Sequence, residues 1–322
     1  MNKLILLLVA AASIILAGCT GRNDTIYYAP GPRLKICATI SPVYSMTAGM
    51  ISTRQNLSLE QIIPPGETPS GYSLTNEEID YYSSFDVCVI SGMGYDDFVS
   101  DKLRAKNPKI QICNASEGIE PITLPDGKPN PYVWNSPVNQ AMMLKNIGNF
   151  MIERDKTEKK DEKKGLPYGP TYAEYSSRFT FITNALAGEN PRITKPKKAS
   201  QGTEGEGKPE DGKSQAAKSS NIATYGAASA KIREFSRAGV AGKAVCPGGE
   251  YDYLLRDCGI TVLPKGEQSK DAIVVATEGE QAPEGACMLS DVMREKKIMP
   301  DTCVTTTLQN ISEIKRKFGE AR

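Results

Sequence analysis

The sequence predicts an α/β protein of two lobes, each with a parallel sheet flanked by helices. Three observations predict it. Four short apolar runs between residues 34 and 113 alternate with helical stretches, a β-α-β-α-β-α-β order that right-handed crossovers gather into one parallel sheet. A second, smaller alternation begins near residue 243. At 322 residues, the chain is long enough to bury two cores.

In the first lobe, the strand expected over 34–40 leads into Ser41-Pro42, a helix start that places proline at the first position. Val43, Met46 and Met50 then share one face. The strand over 57–63 ends in Pro64, Pro65 and Gly66, which do not extend a central strand. The loop I-I-P-P-G-E-T-P-S-G-Y-S-L-T over 62–75 then turns through a further Pro and Gly. Open α/β sheets hold their ligands at the carboxyl ends of parallel strands, so this loop marks a candidate site. Thr75 and Glu78 fit a capping box for a helix to about Ser84. The run V-C-V-I over 87–90 fits a strand buried on both faces. A helix from Asp96 to about Lys106 and a strand over 110–113 complete the lobe.

After a Pro- and Gly-rich connection comes N-P-Y-V-W-N-S-P over 130–137, where Ser136 caps a helix with Pro137 at its first position. Ala141, Leu144, Ile147, Gly148, Met151 and Ile152 recur at helical spacing, and the charged run 153–164 reads as a solvated loop. A second amphipathic stretch covers 172–186, and 222–237 reads as a helix. Between them, residues 195–220 lack large apolar side chains and are expected to be disordered. In the second lobe, strands are expected over 244–246, 260–263, 273–276 and 303–304, with helices near 251–258, 288–296 and 311–318. The expected divisions are therefore a lobe over 34–154, a connecting helical region over 155–242 and a lobe over 243–322.

Lys and Arg total 39 against 38 Asp and Glu, so no net field favours nucleic acid. At the amino terminus, Lys3, an apolar run over 4–16 and Leu16-Ala17-Gly18-Cys19 resemble a bacterial lipobox. The run is shorter than the roughly 20 apolar residues a spanning helix needs. The expectation is a signal peptide over 1–18, lipid on Cys19 and a membrane-anchored stalk over 19–33. The chain would then be exported and tethered to the outer face of the cell membrane, or held in the periplasm or outer membrane. Seven cysteines follow Cys19. Cys37, Cys88 and Cys113 sit in apolar runs and read as buried thiols. Cys246 with Cys258, or Cys287 with Cys303, are possible disulfides, and sequence does not choose among the pairings.

These segments resemble, in order, the extracytoplasmic solute-binding proteins of zinc- and manganese-type ABC importers. The likeness lies in P-P-G-x-x-P-x-x-Y over 64–72, the strand and glycine turn over 86–94, N-P-Y-V-W-N-S-P against the family's D-P-H-x-W, and Y-D-Y-L over 251–254 ahead of Cys258-Gly259-Ile260. The resemblance implies two lobes joined by a long helix, a ligand cleft between them, and a permease and an ATPase as partners. It also implies a metal held by imidazoles and carboxylates, and there this chain departs. Ser70 and Ser73 stand at the opening loop's ligand positions, Tyr132 at the second His, Gly248 at the third and Thr306 roughly at the late acidic one. The chain contains no His.

Imidazole is the usual nitrogen donor for zinc, and neutral hydroxyls are much poorer donors. Zinc binding in the family's manner is therefore not expected. Three readings fit the cleft. It holds a polar organic solute through Ser70, Tyr72, Ser73, Tyr132 and Trp134; or a divalent metal ion through Cys246, Glu250, Asp252 or Glu278; or it is vestigial in a surface interaction lipoprotein. Without His there is no Ser-His or Cys-His nucleophile, and no phosphate loop or dinucleotide fingerprint occurs, so an enzyme is not expected.

Overall fold

The computed structural model describes residues 34–51, 57–159, 242–264, 266–267 and 269–320. The expected signal peptide, Cys19, the stalk, the stretches over 172–186 and 222–237, and the segment 195–220 lie outside the described residues.

The first sheet is built from β1 (Leu34–Ala38), β2 (Leu57–Gln61), β3 (Val87–Ile90) and β4 (Gln111–Asn114), all parallel and in the order β2-β1-β3-β4. The register sets Cys37 beside Cys88 and Cys113 beside Val89. β3 is buried along its whole length, which is why its sequence runs apolar without alternating. Helices α1 (Ser41–Ile51), α2 (Asn76–Tyr82) and α3 (Asp97–Lys106) make the crossovers. The Thr75 hydroxyl accepts from the Glu78 amide at 3.1 Å and the Glu78 carboxylate accepts from the Thr75 amide at 2.8 Å, the reciprocal cap its sequence predicts.

At the carboxyl end of β3 the chain turns through Gly92, whose φ is +86°. Asp96 clamps this turn. Its fully buried carboxylate accepts from the Ser91 amide at 2.7 Å, the Gly92 amide at 2.8 Å and the Thr39 hydroxyl at the end of β1.

The second sheet repeats the topology. β5 (Lys243–Val245), β6 (Thr261–Val262), β7 (Ala272–Thr277) and β8 (Cys287–Leu289) are parallel in the order β6-β5-β7-β8. α4 (Pro137–Lys159), α5 (Asp252–Asp257) and α6 (Thr302–Glu320) complete the described helices. No helix among the described residues is long and apolar enough to cross a membrane.

Four expectations are corrected. The charged run after Ile152 is not a loop at its start: α4 continues to Lys159, because Glu, Arg and Lys are good helix formers and neither Gly nor Pro interrupts them there. Cys303 and Val304 lie in α6 rather than a strand. Buried Val304, Ile311, Ile314 and Phe318 keep helical spacing, and the threonines over 305–307 give the segment its strand-like composition. The fourth strand is instead β8, where a helix over 288–296 was expected. Only a short 3-10 turn, Val292–Arg294, follows it, capped by Asp291. Finally, the seven described cysteines are all free and buried, so neither expected disulfide forms.

Candidate functional site

The segment N-P-Y-V-W-N-S-P lies on the seam between the lobes, where its polar side chains cross to the second lobe. Asn130, fully buried, donates through Nδ2 to the Gly249 carbonyl at 2.7 Å and more weakly to the Asp252 carboxylate at 3.4 Å. Tyr253 returns the contact, donating to the Asn130 carbonyl at 3.0 Å while accepting from the Ile122 amide at 2.9 Å. Asn135 donates to the Glu250 carbonyl at 2.8 Å, and the Ser136 hydroxyl, which also caps α4 by accepting from the Asn139 amide, donates to Asp257. Further along, Gln140 donates to the Thr307 hydroxyl at 2.6 Å and Ser45 to the Met299 carbonyl at 2.8 Å.

The opening loop also reaches the second lobe. The Gly66 amide donates to the Met293 carbonyl at 3.0 Å, in the turn after β8. Its two serines do not join a buried site. Ser70 is exposed, with Oγ 3.2 Å from the Thr68 hydroxyl, and Ser73 is exposed as well. Tyr72 is turned towards α2, where its hydroxyl donates to Glu78, and burial first and that hydrogen bond second push its phenol up to about 12. Tyr72 therefore ties the loop to the capping box.

Above the seam sits an aromatic wall. Tyr95 follows the glycine turn at the end of β3, and its ring centroid lies 5.8 Å from Tyr132 and 5.4 Å from Trp134; Tyr132 and Trp134 are 5.5 Å apart. Trp134 is fully buried and its Nε1 has no partner among the described residues, whereas Tyr95 and Tyr132 are half-buried. Carboxylates of both lobes act on this wall, Asp96 from the first on Tyr95 and Glu250 and Asp291 from the second on Tyr95 and Tyr132. Burial first, then Glu250 and Asp291, push the Tyr132 phenol up to about 12, so it stays protonated near neutral pH; Tyr95 is driven upward by burial, Tyr132 and the same two acids.

Glu250 is half-buried, and its carboxylate accepts from the Cys246 thiol at 3.8 Å. Burial holds that thiol up at about 12, so it is protonated near neutral pH. Asp252 is 9% exposed and its Oδ1 has no partner among the described residues. Burial raises its pKa to about 6, opposed by Arg256 and reinforced by Glu250. Glu278 is exposed at the end of β7, accepting from the Ser290 hydroxyl at 2.8 Å, and neighbouring Glu280 pairs with Arg294. Asp291 caps the turn after β8, accepting from the Met293 amide at 2.9 Å, and burial raises its pKa.

Of the residues expected from the sequence, the structure gathers Tyr132, Trp134, Glu250 and Asp252 at the seam, and it sets beside them Tyr95 and Asp291, which were not among those expected. Tyr95 was legible as the first large side chain after a strand-end glycine turn. Asp291 was hidden because β8 was read as helix, and Thr306, offered for the late acidic position, is buried within α6. Gly248 is exposed and carries no donor but its backbone. Among the described residues no group of three or more His, Cys, Asp or Glu is arranged to hold a metal ion.

Residues 36–175 match the family model described as zinc-uptake complex component A, periplasmic (ZnuA). The chain is 27% identical over 178 residues to the iron ABC transporter substrate-binding lipoprotein MtsA of Streptococcus pyogenes, covering 51% of this chain and 56% of that protein. It is likewise 27% identical over 180 residues to the manganese ABC transporter substrate-binding lipoprotein PsaA of Streptococcus anginosus, covering 52% and 56%. The chain spans about half the length of these relatives. In three dimensions it resembles the solute-binding protein FpvC of Pseudomonas aeruginosa in complex with Mn2+, with a TM-score of 0.56 and 19% identity over 90% of this chain and 100% of that one. The metal-dependent lipoprotein YcdH of Bacillus subtilis aligns with a TM-score of 0.58 and 14% identity over 88% and 99%. These structural likenesses establish the two-lobed fold.

Proposed function

We propose that this chain, a member of the zinc- and manganese-type solute-binding family, is the extracytoplasmic solute-binding component of an ABC importer. In this reading it is tethered through lipid on Cys19 and delivers its cargo to a membrane permease driven by an ATPase. The observation that supports this reading best is the seam: the aromatic and polar segment at which two parallel-sheet lobes meet carries Tyr132 and Trp134, with carboxylates of the second lobe beside them. The family consists of transport proteins, and no catalytic role is proposed.

The donor set argues against zinc held by nitrogen and sulfur. The chain has no imidazole, the serines of the opening loop face solvent, and the described residues provide no group of three or more His, Cys, Asp or Glu arranged around a metal. The test is reconstitution in proteoliposomes of a metal-type ABC permease and ATPase from the organism that makes this chain. Adding the lipidated chain is expected to stimulate ATP hydrolysis, and Cys19→Ala is expected to need a much higher concentration for the same effect. No stimulation by the lipidated chain would refute the reading. Elemental analysis of protein from its native host is expected to find less than one zinc per chain; one tightly held zinc would overturn the donor argument.

A further inference from the structure

Gly248 and Glu250 form a matched pair. A Cβ built on Gly248 would lie 1.9 Å from Glu250 Oε1 and 2.4 Å from Oε2. The glycine is not there for its backbone, because Gly248, unlike neighbouring Gly249 at φ +76°, is not in the left-handed region. What its missing side chain leaves is space, and the Glu250 carboxylate fills that space. A carboxylate is thereby delivered from residue 250 to the position that a side chain at 248 would occupy.

The surroundings show what that carboxylate faces. Among the described residues its only hydrogen-bond donor is the Cys246 thiol, at 3.8 Å, and none of the Lys or Arg residues described pairs with it. Arg294, the cation in the turn after β8, is engaged with Glu280 and the Glu278 carbonyl. Nearby Asp252, 9% exposed, leaves Oδ1 without a partner among the described residues. Beside it on the seam stand the half-buried rings of Tyr95 and Tyr132, whose phenols feel the Glu250 charge and which are backed by the fully buried Trp134; aromatic faces attract a cation. A metal ion needs more converging donors than this, and the described residues provide no group of three. An organic cation needs one counter-charge and aromatic surface.

Resting on the solute-binding role proposed above, we infer that the cleft takes a small organic cation of the alkylammonium class. Its positive head is held by the Glu250 carboxylate in the space that Gly248 leaves open, and its apolar body lies against Tyr95 and Tyr132. Gly248 is a specificity-determining residue because any side chain there expels the carboxylate, and the fold survives since only the end of a flexible side chain must move.

The experiment is isothermal titration of the full chain with choline, with its uncharged isostere 3,3-dimethylbutan-1-ol and with Mn2+, repeated on variants. Choline is expected to bind and the neutral isostere at least tenfold more weakly. Glu250→Gln and Gly248→Ala are each expected to weaken choline at least tenfold. The swap Gly248→Asp with Glu250→Ala is expected to recover most of that loss, which a variant that merely misfolds would not do. Equal binding of choline and its neutral isostere, or choline binding unaffected by Glu250→Gln, overturns the inference while leaving a solute-binding cleft in place. Stoichiometric Mn2+ binding with no response to choline overturns it in favour of a metal cargo. Failure of all three probes to bind overturns it too, and the ATPase reconstitution then decides separately whether the importer role stands.

Discussion

Replacing Asp252 with Asn should make the protein more stable at neutral pH, although it removes a seam residue. The Asp252 carboxyl is raised from 3.8 to about 6 in the folded chain, with burial as the largest cause, Arg256 opposing it and Glu250 reinforcing it. A raised carboxylate pKa penalises the ionised folded state. Below about pH 3.9 both states are protonated and the penalty vanishes; it grows as pH rises and is complete above about pH 6. A shift of about two units corresponds to roughly 3 kcal/mol, an upper bound that the partly water-accessible seam reduces to about 1–2 kcal/mol. The Asn130 contact survives, because an amide oxygen at 252 still accepts from Nδ2. Urea denaturation of the solute-free chain is the assay. Asp252→Asn is expected to gain about 1–2 kcal/mol at pH 7.5 and little near pH 4. A loss at pH 7.5, or the same difference at both pH values, would show that the buried carboxylate is stabilised by a partner, and the reasoning would fail.

Three other outcomes follow from particular contacts. Gly92→Ala places a Cβ 2.3 Å from Asn114 Oδ1 at a residue with φ +86°, and should cost about 2–3 kcal/mol, read as a fall in melting temperature. Asn130→Ala removes the shorter of two hydrogen bonds to the Gly249 carbonyl, which keeps only the Asp252 amide at 3.3 Å, and strands the Tyr132 amide, whose partner is Asn130 Oδ1 at 3.0 Å; denaturation is expected to show a loss of about 1–3 kcal/mol. All seven described cysteines are buried and free, so a thiol reagent near neutral pH should label them in denaturant and hardly at all in the native chain.

The first lobe was legible because its signals are local and agree with one another. V-C-V-I is apolar throughout, Thr75 and Glu78 carry a reciprocal cap, and Ser136-Pro137 opens a helix where such a pair should. The second lobe was less legible because its strands are short. Thr261–Val262 and Cys287–Leu289 are too brief to show a period, while three consecutive threonines lend the start of α6 a strand's composition. The site divides along the same line. Tyr132 and Trp134 stood out as an aromatic cluster in sequence, whereas the pairing of Gly248 with Glu250 exists only in three dimensions: the sequence shows a glycine and a nearby acid, and nothing in their spacing says that one fills the other's place.

The seam also limits how the cleft works. The residues proposed to hold the solute adjoin the ones that fasten the lobes together: Asn130 and Asn135 flank Tyr132 and Trp134, and their hydrogen bonds end on the backbone of Gly249 and Glu250. Swinging the lobes apart would break these contacts along with Tyr253 to Asn130, Gln140 to Thr307 and Gly66 to Met293, each worth about 0.5–1.5 kcal/mol net. Several kcal/mol would be lost, against about 8 kcal/mol gained by a solute bound with a dissociation constant near 1 μM. A cleft that opened and closed widely would forfeit much of its affinity, so the walls should be preformed. Small-angle scattering of the chain with and without saturating choline is therefore expected to differ by less than about 1 Å in radius of gyration, as in other preorganised sites. Hydrogen exchange is expected to leave the Ile122 and Tyr132 amides, which donate to Tyr253 and Asn130, equally protected in both states. A contraction of several ångströms on binding, or fast exchange of those amides in the solute-free chain, would show that the seam yields and that the lobes move as a hinge.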